Sequence, residues 1–307
     1  MLKYIFKRIL SSLPLIFVVL SLSFFLVRAA PGSPLDKDAE LPPEVKESLA
    51  KQYGLDQPLH IQYFRFLGNA VRGDFGRSYI YKDREVSEII RDAFPVSATL
   101  GALSMTLALI VGILFGVISA LRQNSWVDHF IMTTVLFGKS IPPMVLAPVF
   151  IAAFAIALPW VPVAGWEQGG FKDMIGPVLC LGLYDVAAIS RLTRGSMLEV
   201  IRQKYIVTLR AKGTSEFRIT FMHALREAIM PLVTYLGPTL SSLLVGTVVI
   251  EQVFNIPGLG RYLVSSALNR DYTLFLGIVT LASALLVTFN MFSDILLGLL
   301  DPRIRLK

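Results

Sequence analysis

Apolar residues in this chain fall into six long runs separated by polar connections. The runs cover about Ile9–Val27, Phe94–Leu121, Phe130–Leu158, Met174–Leu192, Ile229–Val253 and Thr273–Leu300. A helix needs roughly 20 mostly apolar residues to cross a bilayer, and each run is close to that length or longer. The runs are continuous, not alternating, so they do not suit the strands of a membrane barrel and leave helices as the spanning form. The pattern predicts an all-α membrane protein with six transmembrane helices.

The connections have structure of their own. Between the first two runs, Leu41-Pro-Pro-Glu-Val45 opens a helix with proline in its first turn. That helix should reach about Tyr53 and stop at Gly54. A second, amphipathic helix is predicted over Leu59–Val71, with Ile61, Phe64 and Leu67 on one face. The third run contains Ile141-Pro-Pro143 and Pro148, which predict a kinked helix. After the fifth run, Pro257-Gly258 predicts a turn and Leu263–Leu268 a short interfacial helix. Between the fourth and fifth runs lies a basic, helix-prone stretch from Tyr205 to Pro231, broken at Gly213. Thr214 or Ser215 is placed to cap the helix that follows the break.

Composition and charge sharpen this picture. At 54% hydrophobic residues and a mean hydropathy of +0.62, the chain is too apolar for a soluble domain. With six spans, Lys3, Lys7, Arg8, Arg122, the basic cluster from Arg191 to Arg226, and Arg303, Arg305 and Lys307 all fall on one side. The excess of lysine and arginine in cytoplasmic loops puts both termini in the cytoplasm. The same bias accounts for the net charge of +7, and no aromatic-basic groove pattern points to nucleic acid. Val27-Arg28-Ala29-Ala30 resembles a signal-peptide cleavage site, but the first apolar run is long for such a peptide and is read as a retained helix. A single cysteine, Cys180, lies inside the fourth run, so no intrachain disulfide is expected.

The chain shows no chemistry of its own. Gly138-Lys139-Ser140 superficially matches a phosphate-binding loop, but Thr133 stands where that motif needs glycine, and the segment lies in an apolar span. His60, His129 and His223 are scattered without metal-ligand spacing. Neither a nucleotide site nor a nucleophile–base constellation is expected. The costly residues are Lys139 and Asp185. From the span directions and the helical rise they lie about 15 Å and about 13 Å from the cytoplasmic side. That matched depth permits an intramembrane ion pair, or two separate contacts with cargo on a translocation path.

The segment Tyr205-Ile-Val-Thr-Leu-Arg-Ala-Lys-Gly213, followed by His223-Ala-Leu-Arg226, resembles the coupling loop of ABC-importer permeases. Val207-Thr208-Leu209 replaces the Glu-Ala-Ala of the general pattern, and Ala211-Lys-Gly213 and His223-Ala-Leu-Arg226 are similar to the dipeptide/oligopeptide/nickel branch. So are Ala30-Pro-Gly-Ser-Pro34, the stretch from Gly54 to Ser78, and the two pieces Glu251–Tyr262 and Ala267–Tyr272. The resemblance covers nearly the whole chain and is strongest to the B-type subunits of oligopeptide importers. It implies a type I ABC-importer permease fold in a bacterial inner membrane. Residues 1–28 would hold the first span, 29–92 an extracytoplasmic helical segment, 93–300 a five-helix core with its coupling loop at about 193–228, and 301–307 a cytoplasmic tail.

The resemblance further implies a homologous second permease, two cytoplasmic ATPases that hold ATP and Mg²⁺, and an extracytoplasmic peptide-binding protein. Tyr205, Thr208, Arg210, Ala211, Lys212, Gly213 and Glu216 would meet an ATPase. Asp74, Phe75, Arg261, Asn269 and Arg270 would face the binding protein. Dipeptide, glutathione or nickel transport is the alternative within the class. A proton-driven secondary transporter using Lys139 and Asp185 is the alternative outside it, and would leave the basic loop unexplained and an expected inverted repeat missing.

Overall fold

Proline sets a sharp bend in the third apolar run. A residue that precedes proline is pushed out of the α region. Ile141 and Pro142 both precede one, and both are extended, at φ −95°, ψ 115° and φ −57°, ψ 142°. Helix α5 (Trp126–Ser140) therefore ends, and α6 (Pro143–Phe150) restarts with proline in its first turn. A π-helical turn over Ile151–Ala157 extends α6, and the two halves are bent by 99°. The third run is thus a broken pair of helices, where the sequence suggested one kinked helix.

The computed structural model describes residues 2–29, 42–81, 83–166, 170–245 and 248–300. The remaining helices are α1 (Leu2–Ala29), α2 (Pro43–Gln52), α3 (Leu59–Arg72), α4 (Val86–Leu121) and α7 (Phe171–Ile201). They are followed by α8 (Lys204–Ala211), α9 (Glu216–Arg218), a π-helical turn Ile219–Ala224 and α10 (Leu225–Ala228). The chain continues through α11 (Met230–Val245), α12 (Val248–Val253), α13 (Leu259–Asn269) and α14 (Tyr272–Leu300). Among the described residues five helical segments are long and apolar enough to cross a membrane, or six if the bent α5–α6 pair is one span. Among the described residues there is no β-strand, only one isolated bridge between Arg77 and Glu85. The Ala30–Pro34 stretch and the C-terminal tail lie outside the described residues.

Helix α4 begins well before its apolar run. Glu85 and Glu88 form a reciprocal capping box at its start, so residues 86–92 are helical and continuous with the second span. Helix α13 is likewise longer than the predicted Leu263–Leu268. Helix α3 docks on α1, with the Phe24 and Phe66 rings 5.6 Å apart and the Ser21 and Tyr63 hydroxyls 2.6 Å apart.

The central seam lies between α4 and α7, where small residues let the two backbones approach. A Cβ on Gly116 would stand 2.5 Å from Thr193 Cβ, and one on Gly112 2.7 Å from Ile189 Cγ2. Glycines four apart on an apolar helix are a known device for such contact, because dispersion grows as the axes close in. Two apolar clusters then mark the ends of the bundle. Val86, Ile89, Leu259 and Leu274 pack at one end, and Val117, Met197, Ile206 and Ile219 at the other. The helical rise between Ile89 and Val117 separates them by roughly 40 Å.

Candidate functional site

At the second end, α8 projects as a short, separate helix. Its anchor is Ile206, fully buried among Val117, Met197 and Ile219. Tyr205 Oη donates to Glu227 Oε2 at 2.8 Å, and Gln203 Nε2 donates to Glu227 Oε1 at 3.1 Å. Burial, then the bond to Glu227, pushes the Tyr205 phenol up to about 12, so it remains a hydrogen-bond donor. These contacts leave Lys204, Val207, Thr208 and Ala211 exposed on one helical stripe. Small Ala211 and Thr208 flank the large apolar side chain of Val207, giving a surface that another protein can approach closely.

The turn after α8 is built to a fixed angle. Gly213 has φ +74°, the left-handed region that glycine enters without strain. The Gly213 N–H donates to the Arg210 carbonyl at 2.9 Å, and the Thr214 N–H to the Leu209 carbonyl at 3.1 Å. These bonds satisfy carbonyls left open at the helix end. Arg210 spans the turn, with Nε donating to Glu216 Oε1 at 2.7 Å and Nη2 to Glu216 Oε2 at 3.1 Å. Ser215 occupies the cap position of α9 by its backbone, without a side-chain capping bond. Lys212 is exposed beside the turn. Arg210 and Glu216, both expected to face a partner, thus also hold each other.

Lys139 and Asp185 lie on neighbouring helices, α5 and α7, but no ion pair joins them among the described residues. Asp185 is buried and accepts from Tyr235 Oη at 2.7 Å. The Lys139 ammonium sits 5.6 Å from the centre of the Tyr184 ring. Tyr235 is a partner that span counting does not reveal. Glu251, near the end of its span, is fully buried and accepts from Ser97 Oγ at 2.6 Å and from the Arg261 N–H at 3.1 Å.

The five residues assigned to the opposite surface do gather at one end, around the start of α4, α13 and α14. Asp74 and Phe75 follow α3; Asp74 Oδ1 accepts from the Gly76 N–H at 2.9 Å, and Phe75 is partly buried against the Val86–Leu274 cluster. Arg261 Nη1 donates to Asn255 Oδ1 at 2.9 Å, and Asn269 Nδ2 to Ser265 Oγ at 3.1 Å. Arg270 ends α13 with φ +58°.

The described residues thus form a helical membrane bundle with a small-residue central seam, a broken span and a projecting helix braced by its own turn. Residues 112–306 match the family described as the binding-protein-dependent transport system inner membrane component, and residues 1–101 match the N-terminal region of such membrane components. The chain belongs to this family and is a multi-pass protein of the bacterial inner membrane.

It is 46% identical over 305 residues to the oligopeptide transport system permease protein OppB of Haemophilus influenzae, covering 99% of this chain and 100% of that protein. It is 44% identical to OppB of Escherichia coli K12, with the same coverage. It is 40% identical over 306 residues to the dipeptide transport system permease protein DppB of Bacillus subtilis, covering 100% of this chain and 99% of that protein. The fold is that of a chain in the inward-facing MetNI methionine ABC transporter, with a TM-score of 0.59 and 18% identity over 69% of this chain and 96% of that one.

Proposed function

We propose that this chain is the B-type permease subunit of an ATP-driven oligopeptide importer. The observation that carries the reading is the identity to oligopeptide permeases, 46% and 44%, over 99% of this chain and 100% of each relative. The subunit forms half of a translocation path with a homologous permease. It holds no nucleotide; ATP and Mg²⁺ belong to two cytoplasmic ATPases, and an external binding protein delivers the peptide. The basic residues around α8 support a cytoplasmic position for that end. Helix α8 lies against an ATPase through Lys204, Val207, Thr208 and Ala211, and the Arg210–Glu216 brace sets its angle. The far end, with Asp74, Arg261, Asn269 and Arg270, receives the binding protein. Lys139 and Asp185 either pair in another state of the cycle or face the path and meet the cargo separately.

The test is purification of the chain from native membrane, with partners identified by mass, followed by uptake of labelled peptides in reconstituted vesicles. The expected result is a second permease and two ATPases, with ATP-dependent uptake of peptides longer than two residues. Uptake of dipeptides alone would move the assignment to that branch. Uptake by this chain without ATPases would overturn it.

A further inference from the structure

A cavity of about 410 Å³ lies between α1, α3 and the start of α14, at the end of the bundle opposite α8. Its charged lining is mostly arginine: Arg28, Arg65 and Arg77 line it, against one carboxylate, Asp74, that already accepts from the Gly76 N–H. Arg28 stands in the last turn of α1 and is held by rings, its guanidinium carbon 4.8 Å from the centre of Phe24 and 5.4 Å from that of Tyr272. Its Nε is buried and has no hydrogen-bond partner. Among the described residues no ion pair joins it to Asp271, whose carboxylate accepts from Ser78, Thr273 and the Ile80 and Leu274 N–H groups. A buried donor on a charged group without an acceptor is costly, and an incoming anion removes that cost.

Two further observations describe the anion. Arg28 follows Phe24 by one helical turn on a helix whose outer face, including Leu22, Phe25 and Leu26, is exposed and apolar. The guanidinium thus stands at the level where a membrane-spanning helix leaves hydrocarbon for the headgroup layer. Below it, a second cavity of about 330 Å³ runs between α1 and the α11–α14 pair, lined by Leu15, Val19, Ala282 and Leu286. The upper cavity also holds a buried acceptor without a partner, Gln62 Oε1, whose own amide nitrogen is spent on the Gln57 and Leu55 carbonyls. Clustered donors for a phosphate, an orphan acceptor for a hydroxyl, and an apolar groove at acyl-chain depth describe one molecule.

We propose that this cavity binds an anionic phospholipid with a hydroxyl-bearing headgroup, its phosphate between Arg28, Arg65 and Arg77. Guanidinium groups suit phosphate because their planar fork donates two parallel bonds. Tyr79, whose phenol is pushed up chiefly by burial, stays protonated and adds a donor. A choline headgroup does not fit: it carries a cation toward the arginines and offers no hydroxyl to Gln62. The bound lipid would tie α3 to α1 at the membrane surface.

The test titrates the full-length chain in non-ionic detergent with phosphatidylglycerol or phosphatidylcholine and counts bound lipid by native mass spectrometry. Phosphatidylglycerol should bind about tenfold more tightly, the scale of one charge-assisted hydrogen bond. Arg65 and Arg77 are exposed at the cavity mouth, so Arg65→Gln with Arg77→Gln leaves the fold intact and should erase that preference. Arg28→Gln should do the same, and Gln62→Leu should weaken phosphatidylglycerol but not phosphatidic acid, which lacks the glycerol hydroxyls. Equal binding of the two lipids, or a preference that survives the double variant, overturns the proposal. Displacement of the lipid by excess inorganic phosphate would assign the site to a free anion instead.

Discussion

Asp128 and Arg194 form a two-pronged ion pair between α5 and α7, with Nε donating to Oδ1 at 2.8 Å and Nη2 to Oδ2 at 2.7 Å. Asp128 is almost fully buried, and its remaining lone pairs take the Asn124 N–H and the Ser119 hydroxyl. One carboxylate thus ties α4, α5 and α7 together at the α8 end. Removing one partner of such a pair strands a buried charge, so Arg194→Ala should lower stability by about 3 kcal/mol. Arg194→Lys should restore only part of it, because an ammonium cannot match the fork. Thermal unfolding in detergent measures both; an unchanged midpoint in Arg194→Ala would show that the pair does not hold the helices.

The α4–α7 seam leaves no room at Gly116. Gly116→Leu must move Thr193 or part the helices, and overpacking of this kind costs about 1–3 kcal/mol. Gly68, with open space around it, serves as the control. The yield of folded protein after membrane extraction should fall for the first substitution and hold for the second.

The Arg210–Glu216 brace is exposed, so neither side chain should matter to folding. Its effect should be on coupling. Arg210→Glu and Glu216→Arg should each reduce peptide-stimulated ATP hydrolysis severalfold, and the two together should recover most of it. Arg210 holds the Glu216 carboxyl below its ordinary range. A carboxylate held charged in this way keeps its bond at neutral pH and loses it as pH falls through the lowered value. The brace is therefore complete at neutral pH and lost only in acid. Recovery absent in the double variant would separate the brace from coupling.

Tyr235 is the hydrogen-bond partner of Asp185 in this conformation. Tyr235→Phe removes a bond to a buried carboxylate and should cost about 1–3 kcal/mol in thermal stability, whereas Lys139→Gln should leave stability unchanged and reduce uptake. Exchanging the charges, Lys139→Asp with Asp185→Lys, asks whether the two residues meet elsewhere in the cycle. Pairing requires the exchange to transport better than either single change. If it does not, the two residues act separately along the path.

Helices α2 and α3 should serve the binding protein and not the folding of the bundle. Deleting residues 42–72 should weaken the stimulation of ATP hydrolysis by the binding protein while leaving the assembled complex intact by gel filtration. Stimulation at the full level would leave these helices a structural cap.

Much of this architecture was legible in the chain. A bilayer imposes length and apolarity on anything that crosses it, so six runs announced the spans, and Gly54 and Gly213 marked real helix ends because both positions need positive φ. The prolines at 142 and 143 announced a disturbance in the third span, since the restriction on a pre-proline residue is local. How far the halves turn, 99°, depends on what α6 packs against and could not be read locally. The close seam at Gly112 and Gly116 was not among the expectations from the sequence, and only the fold says that α7 fills it. Matched depth placed Lys139 near Asp185 along the membrane normal, yet depth says nothing about rotation around each helix, and rotation gave Asp185 to Tyr235. Asp128 with Arg194, Ser97 with Glu251, and the arginines around the upper cavity lie far apart along the chain. Their meeting follows from tertiary packing, which alone decides which buried polar groups find partners and which are left to bind something else.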